Sequence, residues 1–214
     1  MSGKFITFEG GEGGGKSTQV KLLAEALRHQ GFRVVMTREP GGAPAAEDIR
    51  ELLVSGAVER WSPMAEVLLN YAAREMHVTK TIRPALDRGD WVISDRFADS
   101  TMAYQGYGGG IDLDRIAAIH SSVLDNFKPD ATFVLDLPAE EGLERAGRRM
   151  IETKSNEDRF ERMGRDFHTR LREGFLSIAE ADPGRCRVVD ARGDIDTVAE
   201  SVRSSLSDLL GVDI

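Results

Sequence analysis

Short runs of alternating or continuous apolar residues recur along the chain, separated by stretches in which apolar positions return every three or four residues. The runs predict five strands: Lys4–Glu9, Arg33–Thr37, Trp91–Ser94, Ala131–Leu137 and Arg187–Val189. The stretches between them predict helices at Ser17–His29, Ala45–Ser55, Met64–Arg88, Leu113–Asn126, Ala139–Arg145, Asp158–Ala181 and Thr197–Leu210. Val20, Leu22, Leu23, Ala26 and Leu27 are the apolar positions of the first helix. Pro84 interrupts the third pattern, because proline has no N–H to give and its ring crowds the preceding turn, so a kink or break is expected there. Strands joined through helical crossovers cannot pair across tight turns. The pattern therefore implies an α/β fold whose five-stranded parallel sheet is covered on both faces.

Bulk properties narrow the class. A chain of 214 residues buries roughly 70% of its extended surface, enough for one sizeable core. No stretch approaches the ~20 apolar residues of a membrane span. Met1–Lys4 runs directly into the first strand, so no signal peptide is expected. Cys186 is the only cysteine, so neither a disulfide framework nor a cysteine-based metal cluster is expected, and the default compartment is cytoplasmic. The formal net charge of -8 argues against a long nucleic-acid surface while leaving room for a local basic pocket. With no repeat or low-complexity linker, a single domain over 1–214 is expected.

The first strand runs into Gly10-Gly11-Glu12-Gly13-Gly14-Gly15-Lys16-Ser17, followed by Thr18. This fits the phosphate-binding loop, in which glycines let successive backbone N–H groups face phosphate oxygens. Lys16 supplies a mobile positive charge and Ser17 a hydroxyl for magnesium. The following helix adds its positive N-terminal end to the same place. Strand, loop and helix together predict the three-layer fold of phosphate-loop NTPases, with a phosphate group and Mg2+ bound at the loop. Asp95-Arg96 lies at the carboxyl end of the third strand, where open α/β sheets bind ligands. There Asp95 would organise magnesium or its waters and Arg96 would grip a phosphate in a forked contact; a surface ion pair is the plainer alternative. Arg38-Glu39-Pro40-Gly41-Gly42 leaves the second strand beside the same crevice, as a ligand contact or as a turn. Arg74 sits in an apolar helical run, so it either faces water or reaches into the site. The polar segment 148–157 reads as a solvated loop or as a lid that closes on substrate. His29, His77, His120 and His168 form no metal-binding array, and none is assigned a metal or acid–base role.

In combination these segments resemble the thymidylate kinases, which make dTDP from dTMP and ATP. The most specific is Asp95-Arg96-Phe97-Ala98-Asp99-Ser100-Thr101-Met102-Ala103-Tyr104-Gln105-Gly106. Phe8–Gly13, Arg38–Gly42, Tyr71-Ala72-Ala73-Arg74 and Asp158-Arg159-Phe160-Glu161 accompany it in the family order. The resemblance implies that Glu12 reaches the sugar 3′-hydroxyl and that Arg74 contacts the base edge with Thr101 and Gln105. It further implies that Tyr104 blocks a 2′-hydroxyl, and that Arg96, with Arg38 as a weaker candidate, holds the acceptor phosphate. Lys16, Arg96, Asp95 and Arg149 would carry the chemistry. Gly13 occupies the loop position where some members keep a catalytic arginine; this chain matches the bacterial type that supplies it from the lid, with Arg149 the best match and Arg145 and Arg148 its neighbours. Asn70 stands four residues before Arg74, where the family usually has a phenylalanine that stacks on thymine. The rival readings are a kinase for another pyrimidine deoxynucleoside monophosphate, such as a 5-substituted dUMP, and a non-catalytic nucleotide-binding module. A GTP switch would carry an Asn-Lys-x-Asp segment, and none is present. The resemblance also implies a homodimer built through helices. The apolar stripes around Val67-Leu68 and at Leu113, Ile116 and Ile119 would serve either that interface or the core.

Overall fold

A computed structural model of the protein describes residues 3–153 and 159–214, with the side chains of 149 and 151–153 outside that description. The strands β1 (Phe5–Glu9), β2 (Val34–Arg38), β3 (Trp91–Asp95), β4 (Ala131–Asp136) and β5 (Cys186–Asp190) form one parallel sheet in the order β2-β3-β1-β4-β5. The central strand is buried on both faces, which is why β1 reads as a nearly unbroken apolar run. In register, Phe8 lies opposite Asp95 on β3 and Phe133 on β4. Helices α1 (Lys16–His29) and α9 (Ile195–Leu210) cover one face through Val20, Leu23, Leu27, Val202 and Leu206. Helices α3 (Pro63–His77) and α6 (Leu113–Leu124) cover the other through Val67, Tyr71, Ile116 and Leu124. Glu9, Arg38, Asp95, Asp136 and Asp190 end the five strands, so the carboxyl edge of the sheet carries a row of charged side chains.

All five predicted strands are present, with ends shifted by a residue or two. The long pattern Met64–Arg88 resolves into α3, a π-helical turn at Val78–Ile82 and a short α4 (Arg83–Asp87). Pro84 sits in the first turn of α4, where its missing donor is tolerated, and the widened turn before it takes up the disruption without a break. Helix α2 (Pro44–Val54) matches expectation. The signature segment, not predicted as helical, forms a short α5 (Ala98–Thr101) and a π-helical turn at Met102–Gly108; its glycines conceal it from a propensity reading. The predicted helix Ala139–Arg145 continues as α7 (Ala139–Thr153), so the first part of segment 148–157 is helical rather than loop. An ion pair from Arg148 to Glu144 at 3.0 Å supports that exposed stretch where apolar anchors are few. The remainder of that segment, 154–157, lies outside the described residues. Of the helix expected over Asp158–Ala181, residues 159–162 form turns, and α8 (Arg165–Ala181) follows Gly164. Of the apolar stripes, Val67 and Ile116 are fully buried core, whereas Leu68 is 55% exposed. No helix among the described residues is long and apolar enough to cross a membrane.

Candidate functional site

The loop between β1 and α1 forms the floor of a cleft of about 510 Å³, whose wall is built by the ends of β2 and β3, α5 and the π-helical turn after it. Gly13 (φ +70°) and Gly15 (φ +82°) adopt the left-handed backbone that turns the loop into α1. Lys16 is 7% exposed; its Nζ donates to the carbonyls of Gly11 (2.6 Å) and Gly10 (3.3 Å). Burial first, then the Arg96 charge, lowers its pKa to about 8. The Ser17 hydroxyl donates to Asp95 Oδ2 at 2.6 Å, joining the start of α1 to the end of β3. Gly13–Thr18, Asp95 and Arg96 all line the cleft. A hydroxyl beside one carboxylate is a sparse, hard oxygen set, suited to magnesium that arrives with phosphate oxygens. Among the described residues no three His, Cys, Asp or Glu side chains gather to hold a metal by themselves.

Arg96 occupies a strained backbone position (φ +76°), the kind of outlier that clusters at functional sites. Its Nη1 donates to Gly10 O (2.8 Å) and Ser100 Oγ (3.1 Å), and its Nη2 to Glu12 Oε1 (2.9 Å) and Tyr104 Oη (2.9 Å). The Tyr104 hydroxyl donates to Glu12, so Glu12, Arg96 and Tyr104 form one cluster. Beneath it Glu9, which the sequence reading gave no role, is fully buried and accepts from the Phe97 N–H (2.7 Å) and Ser100 Oγ (2.5 Å). Burial, reinforced by Asp99, raises its pKa to about 8.

Arg74 is 2% exposed and lies between the rings of Tyr71 and Phe97, with its guanidinium carbon 4.7 and 5.3 Å from their centres. Its Nε donates to Glu39 Oε2 (2.7 Å) and its Nη2 to Thr101 Oγ1 (2.9 Å) and Phe97 O (3.1 Å). Its Nη1 is buried without a hydrogen-bond partner. Gln105 donates from Nε2 to Glu66 Oε2 at 2.7 Å, and Arg159 donates to the other oxygen of that carboxylate. Thr101, Gln105, Glu39 and Tyr104 face the cleft, while Arg74 stands behind them. Asn70 also lines the cleft, its Nδ2 donating to Glu66 O (2.9 Å) one helical turn back. Arg38 sits on the rim, paired to Glu47 at 3.0 Å.

The three candidate lid arginines separate. Arg145 lines the cleft and donates to Ala191 O (3.0 Å), whereas Arg148 faces solvent on Glu144. Arg149 belongs to α7, and its side chain lies outside the described residues. The sequence reading missed Glu39, Glu66, Ser100 and Arg159 as individual contributors. Glu39, Ser100 and Arg159 stand inside the family-like segments, whereas the signal for Glu66 is a carboxylate between apolar neighbours, Ala65 and Val67.

The family described as Thymidylate kinase matches residues 8–202. Thymidylate kinase of Caulobacter vibrioides is 52% identical over 210 residues, covering 98% of this chain and 99% of that protein. That of Bradyrhizobium diazoefficiens is 50% identical over 208 residues, 97% of this chain and 90% of its own. The crystal structure of thymidylate kinase from Ehrlichia chaffeensis superposes with a TM-score of 0.76 at 36% identity, covering 96% of this chain and 99% of that one.

Proposed function

We propose a division of labour in this cleft from the premise that the chain belongs to the thymidylate kinase family. Its reaction transfers the γ-phosphoryl group of ATP to dTMP, giving dTDP and ADP. Family membership implies dependence on Mg-ATP. The acceptor is already an anionic phosphate, so the protein has no proton to remove; it must position two anions and compensate their charge.

In this reading the loop Gly10–Ser17, with Thr18, cradles the donor phosphates through backbone N–H groups, and Lys16 exchanges its carbonyl partners for phosphate oxygens. Ser17 and Asp95 would hold a magnesium ion, which would supply neutralisation of phosphate charge. Arg96 grips the acceptor phosphate, assisted from the rim by Arg38, and Glu12 turns from Arg96 and Tyr104 toward the sugar 3′-hydroxyl. The ring of Tyr104 closes the space of a 2′-hydroxyl. Arg74, with Thr101 and Gln105, reads the base, and an arginine of α7, Arg149 first, meets the charge that develops in transfer. A cytoplasmic homodimer completes the proposal, with exposed Leu68 on α3 and Val123 on α6 as apolar candidates for its interface.

One observation carries the base assignment: every nitrogen of the buried Arg74 fork has a protein acceptor except Nη1, and a buried donor of this kind calls for an acceptor such as a base carbonyl. The test is a steady-state screen of nucleoside monophosphates with Mg-ATP. Preference for dTMP over ribo- and purine monophosphates, lost in Arg74→Met, is expected; an unchanged preference in that variant overturns the assignment.

A further inference from the structure

Arg74 is held by a chain of buried groups that runs from Glu39 at the cleft through His77 to Thr37 on β2. Glu39 is 5% exposed, and its two carboxylate oxygens divide between Arg74 Nε (2.7 Å) and His77 Nδ1 (2.8 Å). His77 is fully buried, and its Nε2 lies 2.7 Å from Thr37 Oγ1 on β2. An ionised carboxylate only accepts, which assigns the Nδ1 proton to the Glu39 side and leaves Nε2 to accept from the threonine hydroxyl. The turn after β2 closes this arrangement. Gly42 (φ +82°) passes so near that a β-carbon there would stand 2.4 Å from the His77 ring and 2.5 Å from Thr37 Oγ1. Thr81 Oγ1 donates to Gly42 O at 2.6 Å from the π-helical turn, pinning the glycine over the ring.

The segment Arg38–Gly42, read from sequence as a ligand contact or a turn, thus seats a histidine. The geometry points to His77 as a positioning residue for dTMP: the relay Thr37–His77–Glu39 fixes the angle of the Arg74 guanidinium, and thereby the direction of its unpartnered Nη1. His77 itself touches no substrate. This inference rests on the reading of Arg74 as the base contact.

The two ideas part experimentally. His77→Phe keeps most of the ring volume and removes both hydrogen bonds; His77→Asn keeps a donor near the Nδ1 position. Loss of the Glu39 contact is expected to raise KM for dTMP about tenfold, the size of one buried hydrogen bond. KM for ATP and kcat should stay within about twofold, and His77→Asn should recover most of the loss. A role in folding alone would instead move both KM values and kcat together and gain nothing from asparagine; that pattern overturns the proposal. Arg74→Met separates the premises. If it raises KM for dTMP while His77→Phe leaves it at the parental value, His77 does not position the fork. If Arg74→Met itself leaves that KM unchanged, the base contact lies elsewhere. Should His77→Phe fail to fold, Thr37→Val removes the outer link and is expected to raise the same KM by about threefold, less than a whole buried hydrogen bond; a parental value overturns the relay.

Discussion

Gly13 and Gly142 meet backbone against backbone: a β-carbon on Gly13 would stand 2.2 Å from Gly142 O, and one on Gly142 would stand 2.4 Å from Glu12 O. The phosphate loop and the first turn of α7 are therefore in direct register, which ties the donor site to the helix bearing Arg145, Arg148 and Arg149. The same contact gives a steric reason why this chain has no arginine in its loop. Gly142 has ordinary helical backbone, so Gly142→Ala isolates the contact from any φ penalty. Alanine normally stabilises a helix interior relative to glycine. Here the clash is expected to win, lowering stability by about 1–3 kcal/mol and raising KM for ATP. Urea denaturation checks it, and a stabilised Gly142→Ala variant would show that the contact yields freely.

Arg159 is 1% exposed and donates to the carbonyls of Leu53 (3.2 Å), Ala57 (3.0 Å) and Val58 (2.6 Å) as well as to Glu66. It fastens the chain that follows α7 onto α2 and α3, and through Glu66 it fixes Gln105. Arg159→Met leaves Glu66 as a buried charge without its counter-ion, and a loss of about 3–5 kcal/mol is expected. Adding Glu66→Gln should recover part of that loss in chemical denaturation. If the double variant is as unstable as the sum of the singles, the two residues are not coupled.

These two contacts mark the boundary of what the sequence displays. The strands and α1 were legible because the period of their apolar positions is a local property, and the phosphate loop because its glycines and Lys16-Ser17 are contiguous. Gly13 and Gly142 lie far apart in sequence, and nothing local tells that two glycines will touch. Arg159 and Glu66 each read as an ordinary charge until α3 and the turn at 159–163 are packed together. The π-helical turns at Val78–Ile82 and Met102–Gly108 escaped for another reason. Their geometry is set by Pro84 on one side and by close packing of Gly106 and Gly108 against Leu113 and Phe167 on the other, not by any periodic pattern.

Glu9 gives the pH dependence a sign. Its pKa is raised from 4.5 to about 8, first by burial and then by Asp99. Below pH 4.5 the group is protonated in folded and unfolded chains alike, and its contribution to stability is fully present. Between pH 4.5 and about 8 the folded protein keeps a proton that the unfolded chain has released, so stability falls as pH rises through this window. Glu9→Gln, which keeps a neutral side chain of the same shape, should flatten the decline. Urea midpoints at pH 5, 6.5 and 8 measure it; parallel slopes for parent and variant would assign the pH dependence to other groups.

Tyr104 has two separable parts. Its hydroxyl donates to Glu12 and accepts from Arg96 at 2.9 Å, while its ring packs edge-on against Phe160, 5.3 Å between centres. Tyr104→Phe keeps the ring and should preserve discrimination between dTMP and its ribonucleotide counterpart, with a KM for dTMP raised by a few-fold through the loosened Glu12 and Arg96. Tyr104→Ala opens the space and should relax discrimination by about tenfold, the lower end of what pocket shape is worth. Equal kcat/KM of the parent enzyme on the two nucleotides would remove the steric account.

The arginine that meets the transferring phosphoryl group should come from α7, because Gly13 leaves no room for one in the loop. Arg149→Ala is expected to lower kcat by about 10²–10³-fold, the loss typical of one transition-state donor, with KM for dTMP nearly unchanged, since the residues proposed above to hold that substrate are Arg74 and Arg96. Arg149→Lys should restore only part of the rate, since lysine keeps the charge without the planar fork. Arg148 supplies the internal control. Its guanidinium is exposed and paired one turn back with Glu144 at 3.0 Å, a surface contact worth little, so Arg148→Ala should leave kcat within about twofold. Arg145 faces the cleft but is spent on Ala191 O at 3.0 Å, so Arg145→Ala should act chiefly on KM for ATP. Single-turnover phosphoryl transfer with saturating Mg-ATP separates the three. A large drop in Arg145→Ala with a parental rate in Arg149→Ala moves the role one turn toward the phosphate loop, and parental rates in all three variants end the assignment to α7.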